Sequence, residues 1–181
     1  GITYAERFGK EGAFITKATA QLMRDFGCVQ SPINAYMLNL GLESLHVRMA
    51  RHCENGQAVA EFLASHPKIA YVNYCGLPGD KYHAVAEKYL PNGSCGVVSF
   101  GVKGGREAAA AFMGHLKIAA IETHVADART CCLHPASSTH RQMNDEQLIA
   151  AGVQPDLVRM SCGLEDKNDL IHDIAQALDQ I

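Results

Sequence analysis

A chain of 181 residues with 48% hydrophobic and 19% charged side chains is long enough to bury its own core, and its composition is that of a soluble globular protein. The formal net charge of −3 offers no basic surface for nucleic acid or an anionic membrane, no apolar run is long enough to span a bilayer, and the N-terminus has no signal-peptide pattern. The seven cysteines are an odd number with no C-x-x-C pair, and most sit in apolar runs; reduced thiols of a cytoplasmic protein explain them better than disulfides or zinc.

The first predicted element is a helix around Thr16–Met23, stopping at Asp25-Phe26-Gly27. Ser31-Pro32 has the pattern of a helix start, with proline in the first turn. From Asn34 apolar residues recur at helical spacing for about thirty residues, with Leu42, Leu45, Met49, Cys53, Val59 and Leu63 on the recurring face. Gly41 and Gly56 weaken that run, so a kink or break is expected there. His66-Pro67 ends it.

Ile69–Tyr74 reads as a strand and Gly76–Asp80 as a turn. A short helix over Tyr82–Tyr89 follows, closed by Leu90-Pro91-Asn92-Gly93. Cys95–Val102 is apolar on both sides, which predicts a central strand. Lys103-Gly104-Gly105-Arg106 lacks the flanks of a phosphate-binding loop and is read as a turn into a helix over Glu107–His115. Ile118–Ile121 reads as a further strand. Asn144 or Asp145 caps a short helix ending at Gly152. Asp166 opens a closing helix whose buried stripe is Leu170, Ile174, Leu178 and Ile181.

Two stretches carry polar chemistry. Thr123–His140 is dense in histidine, cysteine and hydroxyl groups. A metal set of Cys131, Cys132, His134 and His140 matches no zinc spacing, and adjacent cysteines on a strand face opposite ways, so no metal ligands are expected. Nothing there resembles a nucleophile elbow; Ser137, Ser138 and Thr139 read as a hydrogen-bonding turn. The other stretch is Asp156–Asp166. Strand alternation points Val158, Met160, Cys162 and Leu164 one way, and Leu157, Arg159, Ser161 and Gly163 the other. An arginine on a half-buried strand is costly without an anion to meet it. Two readings stay open: an internal ion pair, or a fork that grips the carboxylate of a small substrate.

Several segments then point to one family. They are Ser31-Pro32-Ile33-Asn34-Ala35, Gly41-Leu42-Glu43-Ser44-Leu45 and Arg51-His52 with Asn55. Next come Val72-Asn73-Tyr74 with Gly76-Leu77, Lys88-Tyr89-Leu90-Pro91 and Val102-Lys103-Gly104-Gly105. Ala126-Asp127-Ala128-Arg129-Thr130, His134–His140 and Leu157–Glu165 complete the series. Together, in order and across essentially the whole chain, they resemble the C-terminal part of the pyridoxal-phosphate (PLP) enzymes of cysteine and methionine metabolism. Asp-Ala-Arg-Thr running into His-Pro-Ala-Ser resembles the O-acetylhomoserine sulfhydrylases, whereas cystathionine γ-synthases and methionine γ-lyases usually end that loop Pro-Ala-x-Met-Thr-His.

The resemblance implies an α/β (α+β) fold: the C-terminal small domain of a PLP fold-type I enzyme, with roughly four strands, helices on one side and a long connecting helix before it. Residues 1–48 would be the tail of the large PLP-binding domain and the start of that helix, and 49–181 the small domain. It implies γ-replacement of acetate by sulfide or methanethiol on O-acetyl-L-homoserine, with pyridoxal 5'-phosphate as electron sink, in a homodimer or homotetramer. Arg159 matches the residue that grips the substrate α-carboxylate. His124 falls where relatives carry an asparagine or serine beside that carboxylate, a departure from the pattern. Thr139 matches a threonine near the substrate pocket, with turn capping as the other reading. The cofactor lysine of a Ser-x-Thr-Lys-type segment has no counterpart: Lys17 follows a threonine in Phe14-Ile15-Thr16-Lys17-Ala18 but otherwise has the wrong surroundings. A C-terminal fragment without catalytic or cofactor-binding residues of its own is therefore expected. The rival from another class is a module that only folds, assembles or binds an amino acid.

Overall fold

The computed structural model describes residues 1–181. It divides into two units, Gly1–Leu45 and His46–Ile181. The first is helical. Helix α1 (Tyr4–Lys17) starts at a capping box in which the Thr3 hydroxyl and the Glu6 carboxylate reciprocally satisfy backbone N–H groups, and it kinks at Gly9, where φ is +73°. A π-helical segment (Ala18–Met23) leads into α2 (Arg24–Phe26), which Gly27 ends in the left-handed conformation. Helix α3 (Pro32–Glu43) is capped by Ser31 with proline at the first turn, as its sequence predicts. No residue of this unit is buried.

The second unit opens with α4 (Leu45–Ser65) and continues through β1 (Ile69–Asn73), α5 (His83–Tyr89), β2 (Val97–Val102), α6 (Gly105–His115), β3 (Ala120–Ile121), β4 (Cys131–Leu133), α7 (Asp145–Ala150), β5 (Leu157–Ser161) and α8 (Lys167–Asp179). The expected thirty-residue helix is interrupted at Ser44, not at Gly41 or Gly56. Gly56 lies in the unbroken interior of α4. A Cβ there would stand 2.6 Å from the Cys95 carbonyl oxygen and 3.1 Å from Gly96 Cα, so this glycine serves close approach of the helix to the chain entering β2.

The sheet has five strands in the order β1-β2-β5-β4-β3, not the four expected. The missed strand is β4, only three residues long. Its identity comes from pairing antiparallel with β5 and parallel with β3, and a three-residue segment has too little alternation to announce itself. Cross-strand register puts Val98, Met160 and Cys132 abreast on one face, and Ser99, Arg159 and Leu133 abreast on the other.

The first face meets α4, α6 and α8. Val59, Leu63, Phe100, Phe112, Val158, Met160, Ile174 and Leu178 close a single core there, and Phe100 and Phe112 meet edge to face with centroids 5.7 Å apart. This is the expected one-sided helical layer. The buried Asp173 carboxylate of α8 accepts hydrogen bonds from the backbone N–H groups of Lys117, Ile118 and Ala119 at 2.8, 2.8 and 3.1 Å, fixing the chain that enters β3. Arg106 in the first turn of α6 bonds the Ala136 carbonyl and Asp145, so it latches α6 to the later turn.

Candidate functional site

The face of the sheet opposite that core carries the polar strand residues. β5 is its centre, and alternation sends Arg159 and Ser161 onto this face. Arg159 donates through Nη2 to the Thr123 carbonyl at 2.8 Å, and its Nε–H is buried with no partner. No carboxylate of the chain pairs with this guanidinium, so the internal ion pair left open by the sequence is absent. What remains is an immobilised cationic fork with unused donor capacity.

Its surroundings are fixed from several sides. The loop between β3 and β4 crosses this face: the Ala126 N–H donates to Ser161 Oγ at 3.0 Å, and Leu164 N–H to the Ala128 carbonyl at 2.8 Å. Ala126 has φ +59°, a left-handed conformation that costs about 1–2 kcal/mol for a residue with a Cβ. At the end of β5, the Glu165 carboxylate accepts from Thr130 N–H at 2.7 Å and from its hydroxyl at 2.8 Å, and that hydroxyl accepts from Gly163 N–H at 2.8 Å. Any side chain at Gly163 would strike the Ala128 carbonyl. Asn55 of α4 donates to the Gly163 and Glu165 carbonyls, both at 2.9 Å. His52 Nδ1 sits 2.6 Å from the Cys162 carbonyl; a carbonyl only accepts, so Nδ1 bears the proton. The strand holding Arg159 therefore ends in a clamp contributed by three separate stretches of sequence.

The other two expected site residues have separate partners. His124 is exposed, one residue from the carbonyl that holds Arg159, and its Nδ1 stands 3.0 Å from Glu122 and 3.4 Å from Asp127. Thr139 is exposed and shares a 2.9 Å hydrogen bond with His140; no hydrogen bond joins it to Arg159 or His124. The histidine of the same motif, His134, is buried. Its Nε2–H donates to the Pro155 carbonyl at 2.8 Å, leaving Nδ1 to accept from the Ser137 hydroxyl at 2.9 Å. Burial lowers its pKa, and it stands as a neutral brace for the turn.

Of the four residues weighed as a metal set, Cys132 faces the core and His134 is committed to the turn. A different grouping does converge: the ligating atoms of Glu122, His124 and Cys131 lie within 4.8 Å of one another. Ser161, Thr130, Glu165 and Glu122 were not singled out from sequence. Parity with Arg159 could have found Ser161; the others come close only through the loop's path. A cavity of about 600 Å³, lined by Cys53, Tyr74, Cys75 and His83 among others, includes none of Arg159, His124 or Thr139.

Residues 9–179 match the family described as Cys/Met metabolism PLP-dependent enzyme. The chain belongs to that family. It is 43% identical to the O-acetyl-L-homoserine sulfhydrylase of Leptospira meyeri, covering 100% of this chain and 43% of that protein. It is also 43% identical to O-acetyl-L-homoserine sulfhydrylase 1 of Thermus thermophilus, over 98% of this chain and 42% of the relative. With the homocysteine synthase of Schizosaccharomyces pombe the identity is 41%, over 99% and 42%. A crystal structure from Campylobacter jejuni, described as an O-acetylhomoserine (thiol)-lyase bearing N'-pyridoxyl-lysine-5'-monophosphate, superposes with a TM-score of 0.84 at 37% identity, covering 92% of this chain and 39% of that one. The chain thus spans less than half the length of these relatives.

The residues of this member of the PLP family do not by themselves fit the cofactor. No strand of the sheet carries a lysine. Lys68 bonds the carbonyls of Leu178 and Ile181, Lys103 that of Pro67, and Lys167 pairs with Glu54. No helix is long and apolar enough to cross a membrane.

Proposed function

We propose that this chain is the C-terminal, substrate-carboxylate-binding part of a PLP-dependent O-acetylhomoserine sulfhydrylase. The longer enzyme would convert O-acetyl-L-homoserine and sulfide, or methanethiol, to homocysteine, or methionine, and acetate by γ-replacement. In this reading residues 1–48 form the tail of the PLP-binding domain and the start of the connecting helix, and 49–181 the small domain. The enzyme is cytoplasmic and assembles as a homodimer or homotetramer, and pyridoxal 5'-phosphate sits mainly on the part that precedes this chain. The cofactor supplies the electron sink for the chemistry at the substrate carbons.

The observation that carries the reading is the unpaired, strand-mounted guanidinium of Arg159, held by Thr123 with its Nε–H unused. A bidentate grip on the α-carboxylate orients the amino acid and leaves proton transfer to other groups. His124 would contribute its backbone beside that carboxylate, because its imidazole is turned toward Glu122 and Asp127. Thr139 would line the pocket edge. In the longer enzyme, Arg159→Ala is expected to raise KM for O-acetyl-L-homoserine by about a hundredfold, the loss of a charge-assisted bidentate pair of about 3 kcal/mol. The absorbance of bound cofactor should stay unchanged. An unaltered KM would overturn the assignment, and turnover with cysteine as acceptor in place of sulfide would overturn the reaction.

A further inference from the structure

β3 and β4 run parallel, with Ala120 beside Cys131, and the Glu122 N–H donates to the Cys132 carbonyl at 3.2 Å. Side chains two apart on a strand share a face, so Glu122 and Cys131 project to the same side, diagonally adjacent. The connecting loop then folds His124 back over them. His124 Nδ1 lies 3.0 Å from Glu122 Oε2 and 3.4 Å from Asp127 Oδ2, and the ligating atoms of Glu122, His124 and Cys131 all fall within 4.8 Å of one another. Bonds of about 2.0–2.3 Å to a tetrahedral zinc ion set ligand atoms about 3.3–3.8 Å apart, so closing this group on an ion takes shifts of about 1 Å.

We propose that Glu122, His124 and Cys131 form a binding site for a zinc-class divalent cation, with water in the fourth position.

The donor set selects the class. Thiolate, imidazole and carboxylate together suit a borderline ion such as zinc, whereas calcium and magnesium take oxygen ligands. The charge balance points the same way. Two carboxylates and a thiol face one imidazole and the Arg129 guanidinium, which reaches Glu122 at 3.2 Å and Asp127 at 3.8 Å, while the Arg129 backbone N–H donates to Asp127 at 3.0 Å. A dication at this position takes the Cys131 sulfur as thiolate, and the thiol proton passes to solvent. The imidazole coordinates through Nδ1, and its Nε2–H remains free for water. Occupancy would also stiffen the loop between Glu122 and His124, whose Thr123 carbonyl holds the Arg159 guanidinium.

The test is a titration of this chain with cobalt(II), read by the sulfur-to-metal charge-transfer absorbance in the near ultraviolet. One equivalent should bind with that band, and zinc should displace it. His124→Ala, at an exposed position that the fold tolerates, and Glu122→Gln should each weaken cobalt binding by at least about tenfold. Cys131→Ser should abolish the charge-transfer band, whereas Cys28→Ser and Cys53→Ser should leave it intact. No band, a band that survives Cys131→Ser, or an affinity unmoved by His124→Ala would overturn the site and leave an ordinary histidine–carboxylate cluster. The readout needs neither pyridoxal phosphate nor turnover, so it fails or succeeds separately from the assignment of Arg159.

Discussion

The two faces of β5 are built from one five-residue strand and do opposite work. Val158 and Met160, with Cys162 just beyond, point into the helical layer at 0% exposure, among apolar side chains from α4, α6 and α8. Arg159 and Ser161 point the other way, toward a loop held by hydrogen bonds and crowded with charge. The first face derives its stability from apolar contact and tolerates no gap. The second holds its polar groups by hydrogen bonds to the loop beside it, Arg159 to the Thr123 carbonyl and Ser161 to the Ala126 N–H. The cysteines mark the same division. Burial pushes the Cys162 thiol up to about 12, and Cys132 higher still, whereas on the other face the carboxylates of Asp127 and Glu122 add to burial in raising Cys131.

That contrast is sharpest in paired substitutions. Met160→Ala should destabilise the chain by about 2–5 kcal/mol through the cavity it leaves, read by urea unfolding. Arg159→Ala, one residue away, should change stability by no more than about 1 kcal/mol, because its only hydrogen bond is to a loop carbonyl. Equal effects would erase the distinction between the faces. Asp173→Ala should come next, at about 1–3 kcal/mol, since it strands three backbone N–H groups that the carboxylate now satisfies.

Stability also depends on pH at both ends. A Cys162 thiol that ionises near 12 when folded and near its ordinary 9.0 when unfolded binds its proton longer in the folded state. Stability is therefore complete below about pH 9 and falls as pH rises from 9 toward 12, by roughly 1 kcal/mol per unit from this group. Cys162→Ala should flatten that slope. His134 has the opposite sign: its folded pKa lies below the ordinary 6.5, so its contribution is lost as pH falls through 6.5. A His134→Gln variant whose acid limb matched the parent would remove histidine from that account.

Much of the fold was legible because it is written in local chemistry. The cap at Ser31-Pro32, the turn Lys103–Arg106, the Asn144 and Asp166 caps and the stripe Leu170-Ile174-Leu178 each follow from residues within a turn or two of one another. β4 was not legible, since Cys131-Cys132-Leu133 becomes a strand only by lying between β3 and β5. Gly56 misled for a related reason: its role is set by Cys95, thirty-nine positions away, and not by helix propensity.

The candidate site divides in the same manner. Alternation along Leu157–Ser161 was enough to set Arg159 opposite the core, and the segments from Ser31 to Glu165 were enough to identify the family. The sequence alone thus determined the family and the face of the strand on which Arg159 stands. Only the tertiary structure decided that no carboxylate pairs with Arg159, that Thr123 holds it, that Glu165, Asn55 and His52 clamp the strand end, and that Glu122 and His124 meet Cys131. Those relations depend on which strands pair and where a nine-residue loop returns, and such long-range register is set by the whole core, not by any local pattern.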